Sequence, residues 1–227
     1  MVMQQYQDIM GLKMVNKNQF ARFVNSFFSR LLNGEIKKPF YLAYYYSYLY
    51  LYDCLNDTNF CNSQKPEEGG VPEMGTGNFP AHPRIVELFI KRAKISNDSN
   101  IIDIGSGSGV VLHVAYKLGY LNLSGVEYSK LAYDLSVENL KNKPVKIFHG
   151  DAFNLDISEF DTIFFFSPFR GDLAEKFFSV TPNGVKKIIL VNHDRKIEPI
   201  LKRLGFEETF SYTHKIYQNF NGKVFER

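Results

Sequence analysis

No stretch of the 227-residue sequence approaches the ~18–20 apolar residues that a membrane-spanning helix needs. The opening MVMQQYQDIMGLKMVNK also lacks the charged-then-apolar layout and cleavage site of a secretion signal. Cysteine is scarce: Cys54 and Cys61 are the only two, and both fall in one loop-like segment. Two thiols alone make a poor zinc site and would pair only in an oxidising compartment, so the expectation is no metal and two reduced thiols. An excess of charge is missing too. A net charge of +3 does not by itself imply nucleic acid. With 44% hydrophobic and 22% charged residues, the sequence predicts one main globular domain with a real core, in the cytoplasm and without a membrane partner.

From about residue 95 the pattern alternates. Apolar runs at 100–104, 121–127, 145–149, 161–166 and 186–192 are separated by helix-like stretches at 110–118, 129–141, 171–179 and 196–204. Short buried strands alternating with helices predict βαβ units and a mostly parallel sheet covered on both faces. After Gly205 two β-rich runs flank the turn residues Asn219, Asn221 and Gly222, which predicts a closing antiparallel hairpin.

The first third differs in character. Phe20, Phe23, Val24, Phe27, Phe28, Leu31 and Leu32 keep helical spacing and end at Asn33-Gly34, the pattern of an amphipathic helix. The segment PFYLAYYYSYLYLYDCL follows and holds seven of the 14 tyrosines. Tyrosine combines an apolar body with a polar tip, so this segment suits mixed packing, a pocket wall or a homodimer contact. Residues 53–83 are rich in Asn, Asp, Glu, Gly and Pro, and the sequence predicts a long loop there.

The chemistry concentrates in IIDIGSGSG, residues 101–109. A dinucleotide fold asks for G-x-G-x-x-G; Gly105 and Gly107 fit, but the third slot is Val110 and the third glycine is Gly109. A phosphate-binding loop of the Gly-Lys-Ser/Thr type is absent. Asp103 stands two residues before the first glycine, where an acid suits a cation better than a pyrophosphate.

Asp103-Ile104-Gly105-Ser106-Gly107-Ser108-Gly109 resembles motif I of the class I S-adenosylmethionine-dependent methyltransferases. The resemblance implies that the glycine turn and Ser106 approach the cofactor, with Asp103 near its ammonium end. The cofactor carries an ammonium and a sulfonium and no phosphate, which agrees with a carboxylate there. Glu127 closes the second predicted strand, and Asp151 follows the third. By the same resemblance Glu127 accepts from both ribose hydroxyls, Asp151 from the adenine amino group, and Ala152 offers its backbone amide to a ring nitrogen. Phe153 and Tyr128 pack against adenine or ribose. Three acids at three successive strand ends lie where open α/β sheets bind ligands. GTGNFPAHP (75–83) resembles a Gly-Thr-Gly-x-His-Pro stretch of some protein-lysine methyltransferases, with Phe79 in the histidine's place, and suggests a loop over the cofactor or a plain turn.

On the acceptor side, Ser167-Pro168-Phe169 stands where amino methyltransferases acting on bases carry Asn/Asp-Pro-Pro-Tyr/Phe. The aromatic is kept and the strong acceptor is not, so a nucleic-acid base is disfavoured as substrate. Ser167 and Phe169 remain candidate wall residues, Arg170 a candidate anion contact, and His193 a candidate general base for a hydroxyl or thiol. The resulting expectation is an N-terminal helical, tyrosine-rich cap over residues 1–74 and a methyltransferase domain over 75–227. That domain is a Rossmann-like, doubly wound, seven-stranded, mostly parallel sheet with a C-terminal antiparallel hairpin. The expected function is methyl transfer from S-adenosyl-L-methionine to a small molecule or a protein side chain. Two alternatives stay open: a non-catalytic cofactor-binding or scaffold subunit, and an NAD-type oxidoreductase, the latter opposed by Val110 and Asp103.

Overall fold

The computed structural model describes residues 29, 33–34, 37–62, 80–214 and 221–227. The amphipathic stripe at 20–32, most of the loop expected at 53–83, the GTGNF stretch at 75–79 and Asn219 lie outside the described residues. The chain divides into two compact units, Met1–Ser63 and Gln64–Arg227.

In the first unit the tyrosine-rich segment forms helix α1, Lys37–Asn56. Leu42, Tyr45, Leu49 and Asp53 are its buried stripe, at helical spacing. Successive rings meet one turn apart, with Tyr44–Tyr48 and Tyr48–Tyr52 centroids both at 6.3 Å. Asp53 terminates the helix region: its carboxylate accepts from the Thr58 hydroxyl at 2.7 Å, the Phe60 amide at 2.9 Å and the Cys61 amide at 2.8 Å. Cys54 and Cys61 are free thiols. Burial, then the neighbouring Asp53 carboxylate, push the Cys61 thiol pKa up and keep it protonated.

The second unit runs α2 (Pro83–Ala93), β1 (Ile101–Ile104), α3 (Val110–Lys117), β2 (Leu123–Glu127), α4 (Lys130–Leu140) and β3 (Val145–His149). It continues with β4 (Thr162–Phe165), α5 (Asp172–Ser179), β5 (Lys187–Val191), α6 (Ile197–Arg203), β6 (Glu207–Thr213) and β7 (Asn221–Glu226). The strand order is β3-β2-β1-β4-β5-β7-β6. All pairings are parallel except those of β7 with β5 and β6. The expected Rossmann-like fold is therefore present. Strands β1, β2 and β4 are buried at every residue, which explains why IIDI and TIFF read as continuous apolar runs.

One face carries Ile102, Ile104, Ile163, Phe165, Ile188, Leu190 and Phe225 against Phe177 and Phe178 of α5 and Ile197 and Leu201 of α6. The other face meets α2 and α3: a side chain at Gly125 would strike Leu112, and one at Gly222 would strike Phe89. That second contact corrects the reading of Asn221 and Gly222 as turn residues. Both begin strand β7, where Gly222 pairs with Val191 and its missing side chain admits the Phe89 ring. No helix among the described residues is long and apolar enough to cross a membrane. Strand order reverses between β2-β1 and β4-β5, so a crevice is expected at the carboxyl ends of β1 and β4.

Candidate active site

The glycine turn is built on that crevice. Gly105 and Ser106 both donate their amides to Val126 O, at 2.8 and 3.0 Å, and the Gly109 amide closes the turn on Ser106 O at 2.8 Å. Gly105 has φ +72°, and a side chain there would place its Cβ 2.2 Å from Pro168 Cβ. Gly109 has φ +89° at the start of α3, and its Cβ would sit 2.8 Å from Leu140 of α4. These two glycines thus serve close protein packing as well as backbone geometry. Asn139 of α4 braces the same turn by donating to Ser108 O at 2.9 Å.

Two carboxylates lie beneath the turn. Asp103 is 1% exposed, and its Oδ1 is buried with no hydrogen-bond partner. Burial first, then the Glu127 charge, raise its pKa well above the usual carboxylate range. Glu127 is also buried, which raises its pKa, but backbone donors oppose the shift. Its Oε2 accepts from the Gly107 amide and its Oε1 from the Ser129 amide, both at 2.8 Å. Environment therefore separates the pair: burial disfavours the Asp103 charge more strongly, while two backbone donors support that of Glu127. The Ser106 and Ser108 hydroxyls are likewise buried without partners. This floor fits an ammonium-bearing ligand: Asp103 Oδ1 lacks a donor, and each Glu127 oxygen keeps a second lone pair.

Around this pair the sequence-derived residues spread along the rim. Tyr128 is 46% exposed. Asp151 is exposed at the end of β3, where it accepts from the Phe153 amide at 3.0 Å and starts a 3-10 turn, Ala152–Asn154. The amide of Gly150 donates to Glu127 O at 2.9 Å and ties the ends of β2 and β3. Phe153 packs on Phe169 with centroids 5.7 Å apart, and Phe169 also meets Phe165 at 5.2 Å and Phe177 at 5.6 Å. The Phe169 ring is thus part of an aromatic cluster continuous with the core.

At the ends of β4 and β5 two non-glycine residues hold left-handed backbone, Ser167 at φ +45° and Asn192 at φ +54°. Extending the β4–β5 register, in which Phe165 pairs with Leu190, sets the two level with each other. Such strain is stored where the surroundings enforce it. Ser167 is 3% exposed, and its hydroxyl accepts from Arg170 Nε at 3.3 Å. His193 follows Asn192, with its side chain 4% exposed. Its Nε2 lies 3.1 Å from Glu198 Oε1; the Lys223 ammonium donates to Glu198 Oε2 at 2.8 Å and to Glu208 Oε2 at 2.7 Å. Burial lowers the His193 pKa despite Glu198, so the ring is neutral. His193 Nδ1 and Asn221 Oδ1 are buried and unpartnered. Asn139, Glu198, Lys223 and Asn221 escaped the sequence reading as site residues, because their contacts join distant segments and no local pattern announces them.

A family model described as Methyltransferase small domain matches residues 85–217. The ribosomal protein L11 methyltransferase of Dictyoglomus thermophilum is 28% identical over 58% of this chain and 38% of its own length. The EEF1A lysine methyltransferase 2 of Danio rerio is 33% identical over 35% of each chain. The chain thus spans under two-fifths of these curated relatives. The crystal structure of the ribosomal protein L11 methylase of Lactobacillus delbrueckii subsp. bulgaricus superposes with a TM-score of 0.52 at 20% identity, over 69% of this chain and 83% of that one. That likeness concerns the fold. With more than half of the chain matched and a glycine turn over buried acids at the switch point, the chain belongs to the methyltransferase small domain family of class I S-adenosylmethionine-dependent methyltransferases.

Proposed function

We propose that the chain transfers a methyl group from S-adenosyl-L-methionine to a side chain of another protein. The observation that carries the cofactor half is Asp103, fully buried beside Glu127 with an unpartnered Oδ1. When bound, the cofactor supplies an electrophilic methyl group, and its sulfur keeps the electron pair of the broken bond as a thioether. Asp103 holds the ammonium. Glu127 uses its remaining lone pairs for the ribose hydroxyls, and Gly105, Gly107 and Gly109 with Ser106 shape the turn. Asp151, Ala152 and Phe153 hold adenine, with Tyr128 at its edge.

The acceptor half rests on the rim at β4 and β5. Ser167 and Phe169 shape the wall there, and His193 accepts the proton that the methyl acceptor gives up. A protein acceptor is supported by two curated relatives whose names specify protein substrates, and by the absence of an Asn/Asp-Pro-Pro motif at 167–169.

Calorimetric titration with S-adenosylmethionine, and separately with NADH, tests the cofactor half in the parent protein and in Glu127→Ala and Asp151→Ala. Micromolar binding of the methyl donor alone, weakened in both variants, is expected. Binding indifferent to both carboxylates would refute the assignment. Incubation with methyl-labelled cofactor and a protein extract then tests the acceptor, with label expected in protein and not in nucleic acid.

A further inference from the structure

The buried polar atoms that lack partners gather in two places on the sheet's carboxyl rim. One is the floor under the glycine turn, with Asp103, Ser106 and Ser108. The other is the β5–β7 corner, with His193 Nδ1 and Asn221 Oδ1. Orphaned buried acceptors are costly to leave unpaired, so two at one corner mark a place built to receive donors.

The corner is held together from three elements. The Asn192 amide donates to Asn221 O at 2.7 Å, which sets Asn221 against the residue preceding His193. Asn221 and Lys223 are two residues apart on β7 and share a face, and Lys223 reaches Glu198 of α6 on that face. Glu198, whose pKa is lowered, is a charged carboxylate that can only accept, so His193 Nε2 at 3.1 Å is the donor. A carboxylate that accepts at Nε2 fixes the proton there and leaves Nδ1 as a lone pair, the logic of a carboxylate–imidazole dyad. Lys223 in turn keeps Glu198 charged and in place.

We propose that His193 Nδ1 and Asn221 Oδ1 form a subsite for the methyl acceptor that takes a primary amine, with Glu198 and Lys223 as positioning residues. The two unpartnered acceptors at this corner match the several N–H groups of an amine, whereas a hydroxyl has one donor for the two. After transfer the nitrogen sheds a proton, and His193 Nδ1 is placed to take it, with Glu198 stabilising the imidazolium. The inference rests on the methyltransferase reading and narrows its acceptor to amine nitrogen.

The test is nitrogen-15 NMR of the histidine rings in the full chain saturated with S-adenosylhomocysteine, titrated with n-butylamine and in parallel with n-butanol. His193 is assigned by difference with His193→Gln. The expected result is the Nε2–H form of His193, and a shift of its Nδ1 signal on adding the amine and not the alcohol. Glu198→Gln is expected to mix the two tautomers. Asn221→Ala should weaken the amine titration about tenfold, and Asn221→Asp, which keeps the acceptor, should restore it. An Nδ1–H form, or equal responses to amine and alcohol, would overturn the subsite. Calorimetric binding of S-adenosylhomocysteine by the same samples separates the two readings: if it binds and the amine has no effect, the subsite alone fails. If it does not bind, the methyltransferase reading fails.

Discussion

Pro168 occupies the space that a side chain on Gly105 would need, with Cβ atoms that would stand 2.2 Å apart. The contact joins the turn after β1 to the turn after β4, the two sides of the crevice at the switch point of the sheet. Gly105→Ala should therefore cost both the left-handed penalty of about 1–2 kcal/mol and a steric penalty of about 1–3 kcal/mol. Adding Pro168→Gly should remove the steric share. A double-mutant cycle by urea denaturation measures it; additive effects would mean that the two turns yield independently.

Asp103 should make both stability and cofactor affinity depend on pH. Its native pKa lies above the value of an unfolded aspartate, about 4. The folded chain then holds a proton that the unfolded chain releases, so this group's contribution is fully present below that value and declines as pH rises toward the native one. The melting temperature of Asp103→Asn relative to the parent should accordingly climb between pH 5 and pH 8. A constant difference would show Asp103 ionised in the native protein.

Cofactor binding should release the same proton, because an ammonium favours the carboxylate. Affinity then rises by up to about tenfold per pH unit below the native pKa. Titrations in buffers of different ionisation enthalpy count the proton directly, and Asp103→Asn should abolish the count.

Glu127 and Asp151 should part company when stability and binding are measured together. Glu127→Gln sets an amide nitrogen against one of two backbone donors, Gly107 or Ser129, at a cost of about 1–3 kcal/mol. Asp151 is exposed and caps only a three-residue turn, so Asp151→Ala should leave the melting temperature nearly unchanged while weakening the cofactor. Equal destabilisation by both would deny Asp151 a binding role.

Ser167 tests the strain at the β4 end. Glycine adopts φ +45° without penalty, so Ser167→Gly should be more stable than Ser167→Ala by about 1 kcal/mol in urea denaturation. Identical stabilities would mean that the backbone relaxes when the hydroxyl is lost.

Most of the sheet was legible from short-range pattern. Residues 145–149 were read as a strand and are β3; the runs at 100–104 and 186–192 contain β1 and β5 with one residue to spare at the ends. Continuous burial of β1, and of β5 past its first residue, makes their apolar runs unmistakable, whereas β3 is only partly buried. Asn221 and Gly222 misled because turn chemistry and close packing against Phe89 call for the same residue types. The His193–Glu198–Lys223 chain was invisible beyond His193 itself, since it depends on β7 pairing back to β5 across the sheet.

Lys223 links Glu198 of α6 with Glu208 of β6 from its own place on β7. One ammonium thus ties a helix to both arms of the hairpin. Their amides should become accessible to deuterium together, as one cooperative block, and the block should split into separately exchanging pieces in Lys223→Met. The imidazole that the block supports would then tilt without losing a single atom of its own.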